Sequence, residues 1–339
     1  MLFSLLLLQI LNKLKILNLS YSNHLVKTPN LYNSSLEKFL LEGCSGLFEV
    51  HQSVGHLKSL IFLNLKGCWR LKILPQSICE AKSLEILNIS ECSQLEKLPE
   101  HMGNMESFTE LIADRINNEH FFASIEHLKY IRKLSLSGYN FNADAPLYTS
   151  WSSPISSSVL DWKALLPTCF TGWRLLRKLK LAYYGLSERA TNSVDFGCLS
   201  SLEELNLSGN NFSSLPSGID VLPKLGLLRV SYCSNLVSIS ELPSNLKFLD
   251  AIGCTSMEKV RLPVQSKNNE NLSLYRSPNL TEIEGIGMEG LSNHGWIVSS
   301  DTASDLSNNY KKSFVEVLFL SLPHTNKDTI GIYYIYISV

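Results

Sequence analysis

Apolar and polar positions along this chain recur in one phrase, L-x-x-L-x-L-x-x-[C/N/S/Y]-x-x-[L/M]. It starts at Leu14, Leu36, Leu60, Leu84, Phe108, Ile131, Leu176, Leu202, Leu225 and Leu246. The starts lie 22, 24, 24, 24, 23, 45, 26, 23 and 21 residues apart. The long interval is one repeat plus an insertion. Within L-x-L the period is two, which predicts a short strand with both leucines on one face and the intervening residue on the other. The rest of each unit must carry the chain back to the next strand. One unit cannot bury its own apolar face, but stacked units can. In the repeat from Leu60 the predicted buried set is Leu60, Leu63, Leu65, Leu71, Leu74 and Ile78.

The second half of the unit repeats as well: Leu74-Pro75 with Ile78, Leu98-Pro99 with Met102, Leu215-Pro216 with Ile219. Proline lacks an N–H and fixes φ, so this half is a turn or a single tight helical turn rather than a paired strand. The expected fold is therefore an α/β solenoid, a horseshoe with a parallel β-sheet on its concave face and an irregular or 3₁₀ convex side. Its predicted parts are an apolar segment over 1–10, about ten repeats over 11–263 with the insertion at 139–174, and a degenerate last repeat with an irregular region over 264–339. Phe314–Leu322 and Thr329–Val339 read as strands of a weakly defined β-containing tail.

Eight positions after the repeat start lie Cys44, Cys68, Cys92, Cys233 and Cys254. The same slot holds Asn210, Ser22, Tyr139 and Tyr184 in other units. A small polar side chain there can satisfy backbone groups freed as the strand ends. Thiols in such a slot are expected buried and reduced rather than metal-bound or bridged. Cys79, Cys169 and Cys198 lie off this ladder.

Composition narrows the function. The chain is 45% hydrophobic and 18% charged, which excludes a disordered polymer. Thirty basic against 31 acidic residues leave a net charge of −1, with no global pull toward nucleic acid or an anionic membrane. No apolar run reaches the ~18 residues a spanning helix needs. The eight histidines form no H-E-x-x-H, and no G-x-S-x-G occurs. No catalytic, cofactor or metal site is expected, and the chain reads as a binding scaffold rather than an enzyme.

The surface that binds should be the strand face opposite the leucines. One column there holds Asn18, Leu40, Asn64, Asn88, Ile112, Ser135, Lys180, Asn206, Arg229 and Asp250. The column before it holds Ile16, Lys38, Phe62, Ile86, Glu110, Lys133, Lys178, Glu204, Leu227 and Phe248. From these, Leu40, Phe62, Asn64, Ile86, Asn88, Lys133, Lys178, Lys180, Glu204, Asn206, Arg229, Phe248 and Asp250 are the candidate partner-binding residues. Phe62, Ile86 and Phe248 on an uncovered sheet call for a partner. Lys133, Lys178 and Lys180, with Arg132 and Arg177 beside them, suit an acidic surface. The Ser-rich insertion with Trp151, Trp162 and Trp173 is either a loop pinned by one tryptophan or a further contact.

LEKFLLEGCSGLFEVHQSVGHLKSLIFLNLKGCWRLKILPQSI (Leu36–Ile78) and LEELNLSGNNFSSLPSGI (Leu202–Ile219) resemble the leucine-rich-repeat region of plant intracellular resistance proteins, of the type that also carries TIR and nucleotide-binding domains. The resemblance covers residues 11–262, and the L-P step separates it from the G-x-I-P step of extracellular plant repeats. No G-x-x-x-x-G-K-[S/T] occurs, so nucleotide binding is not carried over, nor is NAD cleavage. The resemblance implies a truncated member whose repeats contact a pathogen effector, a host target or the receptor's own nucleotide-binding core. It also implies a cytoplasmic or nuclear setting. The alternative is an extracellular receptor or inhibitor fragment. Seven N-x-[S/T] sequons bear on that choice, but those at Asn18, Asn88 and Asn206 arise from the repeat text itself.

Overall fold

The computed structural model describes residues 13–116, 118–139, 170–188, 194–263, 271–274, 276–284 and 329–331. The apolar start, Trp151, Trp162, Cys169 and the strand expected at 314–322 lie outside the described residues. The chain divides into two compact units, the first holding the described residues up to Lys180 and the second those from Leu181 onward.

In the first unit seven three-residue strands follow the repeat: β1 (Ile16–Asn18), β2 (Lys38–Leu40), β3 (Phe62–Asn64), β4 (Ile86–Asn88), β5 (Glu110–Ile112), β6 (Lys133–Ser135) and β7 (Lys178–Lys180). They pair in parallel and in chain order, so Phe39, Leu63, Leu87, Leu111, Leu134 and Leu179 form one column. All six are at most 1% exposed. At ~1.5–3 kcal/mol for each large apolar side chain removed from water, this column is the main reason the coils stack. The set predicted for the repeat from Leu60 is buried in full.

The second unit contains β8 (Glu204–Asn206), β9 (Leu227–Arg229), β10 (Ser238–Ile239), β11 (Phe248–Asp250), β12 (Lys259–Arg261), β13 (Asn271–Ser273), β14 (Glu282–Glu284) and β15 (Thr329–Gly331). Here β8, β9, β11 and β13 continue the repeat pattern in parallel. β13 and β14 form the degenerate repeat expected near Leu272–Ile283. A second sheet was not anticipated: β10, β12 and β14 pair in parallel, and β15 joins β14 antiparallel. In the first unit the same column survives only as isolated bridges, Lys27 to Glu49 to Ile73 to Lys97.

The return segments match the expected tight turns in part. Gln52–His56, Gln76–Glu80 and Glu100–Asn104 are 3₁₀ helices, and Pro75 and Pro99 stand at the caps of the last two with φ of −65° and −56°. The coil from Phe108 departs from this and uses a true α-helix, α1 (Glu119–Ile125). Its Phe121, Phe122 and Ile125 are buried, so an apolar helical face replaces the missing L-P step. Asn118 caps α1, accepting from His120 N at 3.0 Å, and its Nδ2 donates to Leu95 O at 2.9 Å in the preceding coil. Trp173 anchors the far end of the insertion. It is 1% exposed, its Nε1 donates to Ile125 O at 3.1 Å, and its ring stacks on Phe170 at 5.3 Å.

Most strands of the repeat pattern, though not β6, are followed by a residue in left-handed backbone. In the first unit these are Tyr21, Gly43, Gly67, Glu91 and Arg115; in the second they are Tyr183, Gly209, Tyr232, Gly253 and Arg276. A non-glycine residue in this region costs ~1–3 kcal/mol unless its surroundings hold it there. In the second unit tyrosine and glycine alternate across neighbouring coils, and in the first Tyr21 precedes Gly43. A Cβ on Gly43 would lie 2.5 Å from the Tyr21 ring, and one on Gly253 would lie 2.8 Å from the Tyr232 ring. The ring of each tyrosine occupies the space that glycine leaves, and Tyr183 sits against Gly209 in the same way.

The slot one residue further on is buried and polar, as its sequence suggested. Sγ of Cys44, Cys68, Cys92, Cys233 and Cys254 donates to the carbonyls of Leu19, Leu41, Leu65, Leu207 and Val230 at 3.1–3.3 Å. Asn210 does more: its Nδ2 donates to Leu181 O and Leu207 O, and its Oδ1 accepts from Gly185 N and Leu186 N. Ser277 fills the slot in the last repeat. Tyr184 is buried, whereas Tyr139 is half exposed and lies over Arg115 instead. All the described cysteines are free. Burial pushes the Cys68 and Cys233 thiols up to about 12 and Cys254 to about 11, and raises Cys92 well above the ordinary thiol value.

Candidate functional site

Strand alternation sends the leucines inward and leaves two residues per strand on the opposite face. Among the described residues no element packs across that face in either unit.

In the first unit the register lines up Ile16, Lys38, Phe62, Ile86, Glu110, Lys133 and Lys178 in one column. The second column holds Asn18, Leu40, Asn64, Asn88, Ile112, Ser135 and Lys180. Phe62 and Ile86 are therefore direct neighbours on adjacent strands, with Leu40 one strand away and Ile112 on the far side. Leu40, Phe62, Ile86 and Ile112 are half-buried, and Ile16 is 51% exposed. A small apolar patch lies at the middle of the face with charged residues around it.

The asparagines of the second column have a task that their spacing did not reveal. Oδ1 of Asn18, Asn64, Asn88 and Asn206 accepts from the backbone N–H two residues on, at 3.0–3.1 Å. This local turn ends the strand. Asn64 is buried, and its Nδ2 reaches Glu42 at 3.3 Å. What these residues can offer a partner is the amide N–H₂ rather than the whole side chain.

Charge on this face is largely organised into pairs between coils. Lys15 meets Glu37 at 2.7 Å, Lys66 meets Glu42 at 3.1 Å, Arg115 meets Glu91 at 3.0 Å and Lys133 meets Glu110 at 2.9 Å. The Glu42 carboxylate beside Lys66 raises that ammonium's pKa. The Lys133 charge that looked basic in isolation is thus shared with Glu110. Lys178 directly opposes Lys133, and Lys180 is exposed at the next outward position. The sequence columns already set Glu110 beside Lys133, and the structure adds that the two side chains meet.

In the second unit Leu227 and Phe248 are cross-strand neighbours, and Phe248 is 43% exposed. Arg229 and Asp250 lie beside them, 3.9 Å apart. Asp250 also accepts from Ser231 Oγ at 2.5 Å. Glu204 and Asn206 are half-buried on β8.

Among the described residues no three metal-ligating side chains are grouped, and no helix is long and apolar enough to cross a membrane. Stacked coils with a parallel strand, a polar slot and a tight return define the leucine-rich-repeat class. A family model described as Leucine Rich Repeat matches residues 201–222.

The relatives are more particular. Over 123 residues the chain is 32% identical to Disease resistance-like protein DSC1 of Arabidopsis thaliana, covering 36% of this chain and 10% of that protein. Over 99 residues it is 35% identical to Disease resistance protein RPS4 of the same plant, covering 28% of this chain and 8% of that protein. Among solved structures, a leucine-rich-repeat protein of Leptospira interrogans is 21% identical, with a TM-score of 0.46, over 86% of this chain and 80% of that one. The resemblance of the repeats to plant resistance proteins is borne out, and the chain spans about a tenth of the length of the relatives it matches.

Proposed function

We propose that this chain is the protein-recognition part of a plant immune receptor, and that the uncovered strand face makes the contact. The observation that carries this reading is the set of apolar side chains left on that face: Phe62 beside Ile86 in the first unit, and Leu227 beside Phe248 in the second. A parallel sheet is ordinarily covered, and apolar residues on an open one favour a partner that removes them from water. Paired charges around the first patch supply the polar rim of a typical interface. The kinship of the repeats with plant resistance proteins favours defence as the setting.

The partner is a protein: a pathogen effector, a host target, or the nucleotide-binding core of the receptor itself. Nothing in the composition draws the chain to nucleic acid. The free, buried ladder thiols suit a reducing compartment, which favours the cytoplasm or nucleus over secretion.

The test is capture from plant tissue with the wild-type chain and with Phe62→Asp and Phe248→Asp variants that keep their melting temperature. A protein recovered with the wild type and lost from either variant supports the reading. Retention of every partner by both variants rejects it.

A further inference from the structure

The first-unit patch has a direction. Lys38 stands in the same column as Phe62, one strand before it, and Glu85 immediately precedes β4, the strand that carries Ile86. Both are exposed. Their neighbours are already paired: Glu37 with Lys15, Glu42 with Lys66, Glu110 with Lys133. Lys38 and Glu85 have no ion pair or side-chain hydrogen bond among the described residues. The apolar centre of Phe62, Ile86 and Leu40 is thus bracketed by one unpaired cation and one unpaired carboxylate.

Their spacing is readable from the sheet. Two strand-to-strand steps of about 4.8 Å and one residue of about 3.3 Å along the strand put the two backbone positions ~10 Å apart. On an α-helix, residues i and i+7 lie on one face ~10.5 Å apart, with i+3 and i+4 between them. We infer that this patch receives an amphipathic helix of a protein partner, laid along the stacking direction. An acidic residue faces Lys38, apolar residues at i+3 and i+4 sit on Phe62 and Ile86, and a basic residue at i+7 faces Glu85. This rests on the recognition role proposed above and adds the chemistry of the partner.

Exposed charges select partners and orientation more than they add raw affinity. The test therefore reads a preference. Two synthetic helical peptides are used, identical except that one has Asp at i and Lys at i+7 and the other has Ala at both. Each carries leucine at i+3 and i+4. Binding to the full chain is followed by fluorescence anisotropy. The Asp-to-Lys peptide should bind about tenfold more tightly than its counterpart. In Lys38→Glu, which leaves two carboxylates on the patch, the preference should be lost, and Phe62→Ser should weaken both peptides.

Equal binding of the two peptides, or a preference that Lys38→Glu leaves unchanged, overturns the proposal. So does sedimentation showing that Phe62→Ser dissociates a dimer of this chain, which would assign the patch to a second copy. Failure here alongside a plant partner still lost from Phe62→Asp would leave the broader recognition reading standing.

Discussion

A thiol that donates to the carbonyl of the previous coil is a small bond placed where water cannot replace it. Cys68 is fully buried and bonded to Leu41 O at 3.2 Å. Cys68→Ala should cost about 1 kcal/mol by urea unfolding, because one buried hydrogen bond is lost while Leu41 O keeps the Cys44 N–H. Cys79→Ala, at a half-buried position off the ladder, should change stability less. The ladder thiols also make stability depend on alkali. Their folded pKa values stand above the ordinary 9.0, with Cys68 and Cys233 at about 12. Below pH 9 both states hold the proton and the contribution is complete. Between about pH 9 and 12 the unfolded chain releases protons that the folded chain retains, so stability should fall through that window. Urea midpoints measured from pH 8 to 11 should decline, and more shallowly in Cys68→Ala than in the parent.

Among the elements, α1 depends most on one residue outside itself. Asn118 caps the helix and ties it to Leu95 of the preceding coil. Asn118→Ala should therefore cost about 2 kcal/mol, at the upper end for a lost cap, with amide exchange in α1 rising first. The strands were legible in the sequence because L-x-L repeats with period two and the flanking leucines recur in register. The 3₁₀ turns were legible at Leu74-Pro75 and Leu98-Pro99. α1 was not, since a seven-residue helix offers too few turns for Phe121, Phe122 and Ile125 to declare a period. The second sheet was hidden for a like reason: Ser238–Ile239 is two residues long and gains its identity only from Lys259 and Val260 in the next coil. The candidate face was readable as two columns. One of them set Glu110 beside Lys133, whereas the turn-closing role of Asn64 and Asn88 was not readable, because it is fixed by local backbone geometry rather than by residue type.

For each unit as a whole, stacking means that a coil touches chiefly its neighbours. Leu87 is fully buried at the centre of its column. Leu87→Ala should cost about 2–5 kcal/mol. Hydrogen exchange should rise most in β3, β4 and β5 and fade toward β1 and β7, as nearest-neighbour coupling requires. Uniform loss of protection across the first unit would show that it opens as a single block.

The fit of Tyr183 over Gly209 and Tyr232 over Gly253, alternating across the coils of the second unit, bears on how such arrays change through descent. Unequal crossing-over that inserted or deleted one coil would set ring against ring, or leave a glycine with nothing above it. Copying two coils together preserves the match, so the heritable module at these places is the pair, and genomes should tolerate gains and losses there in even numbers.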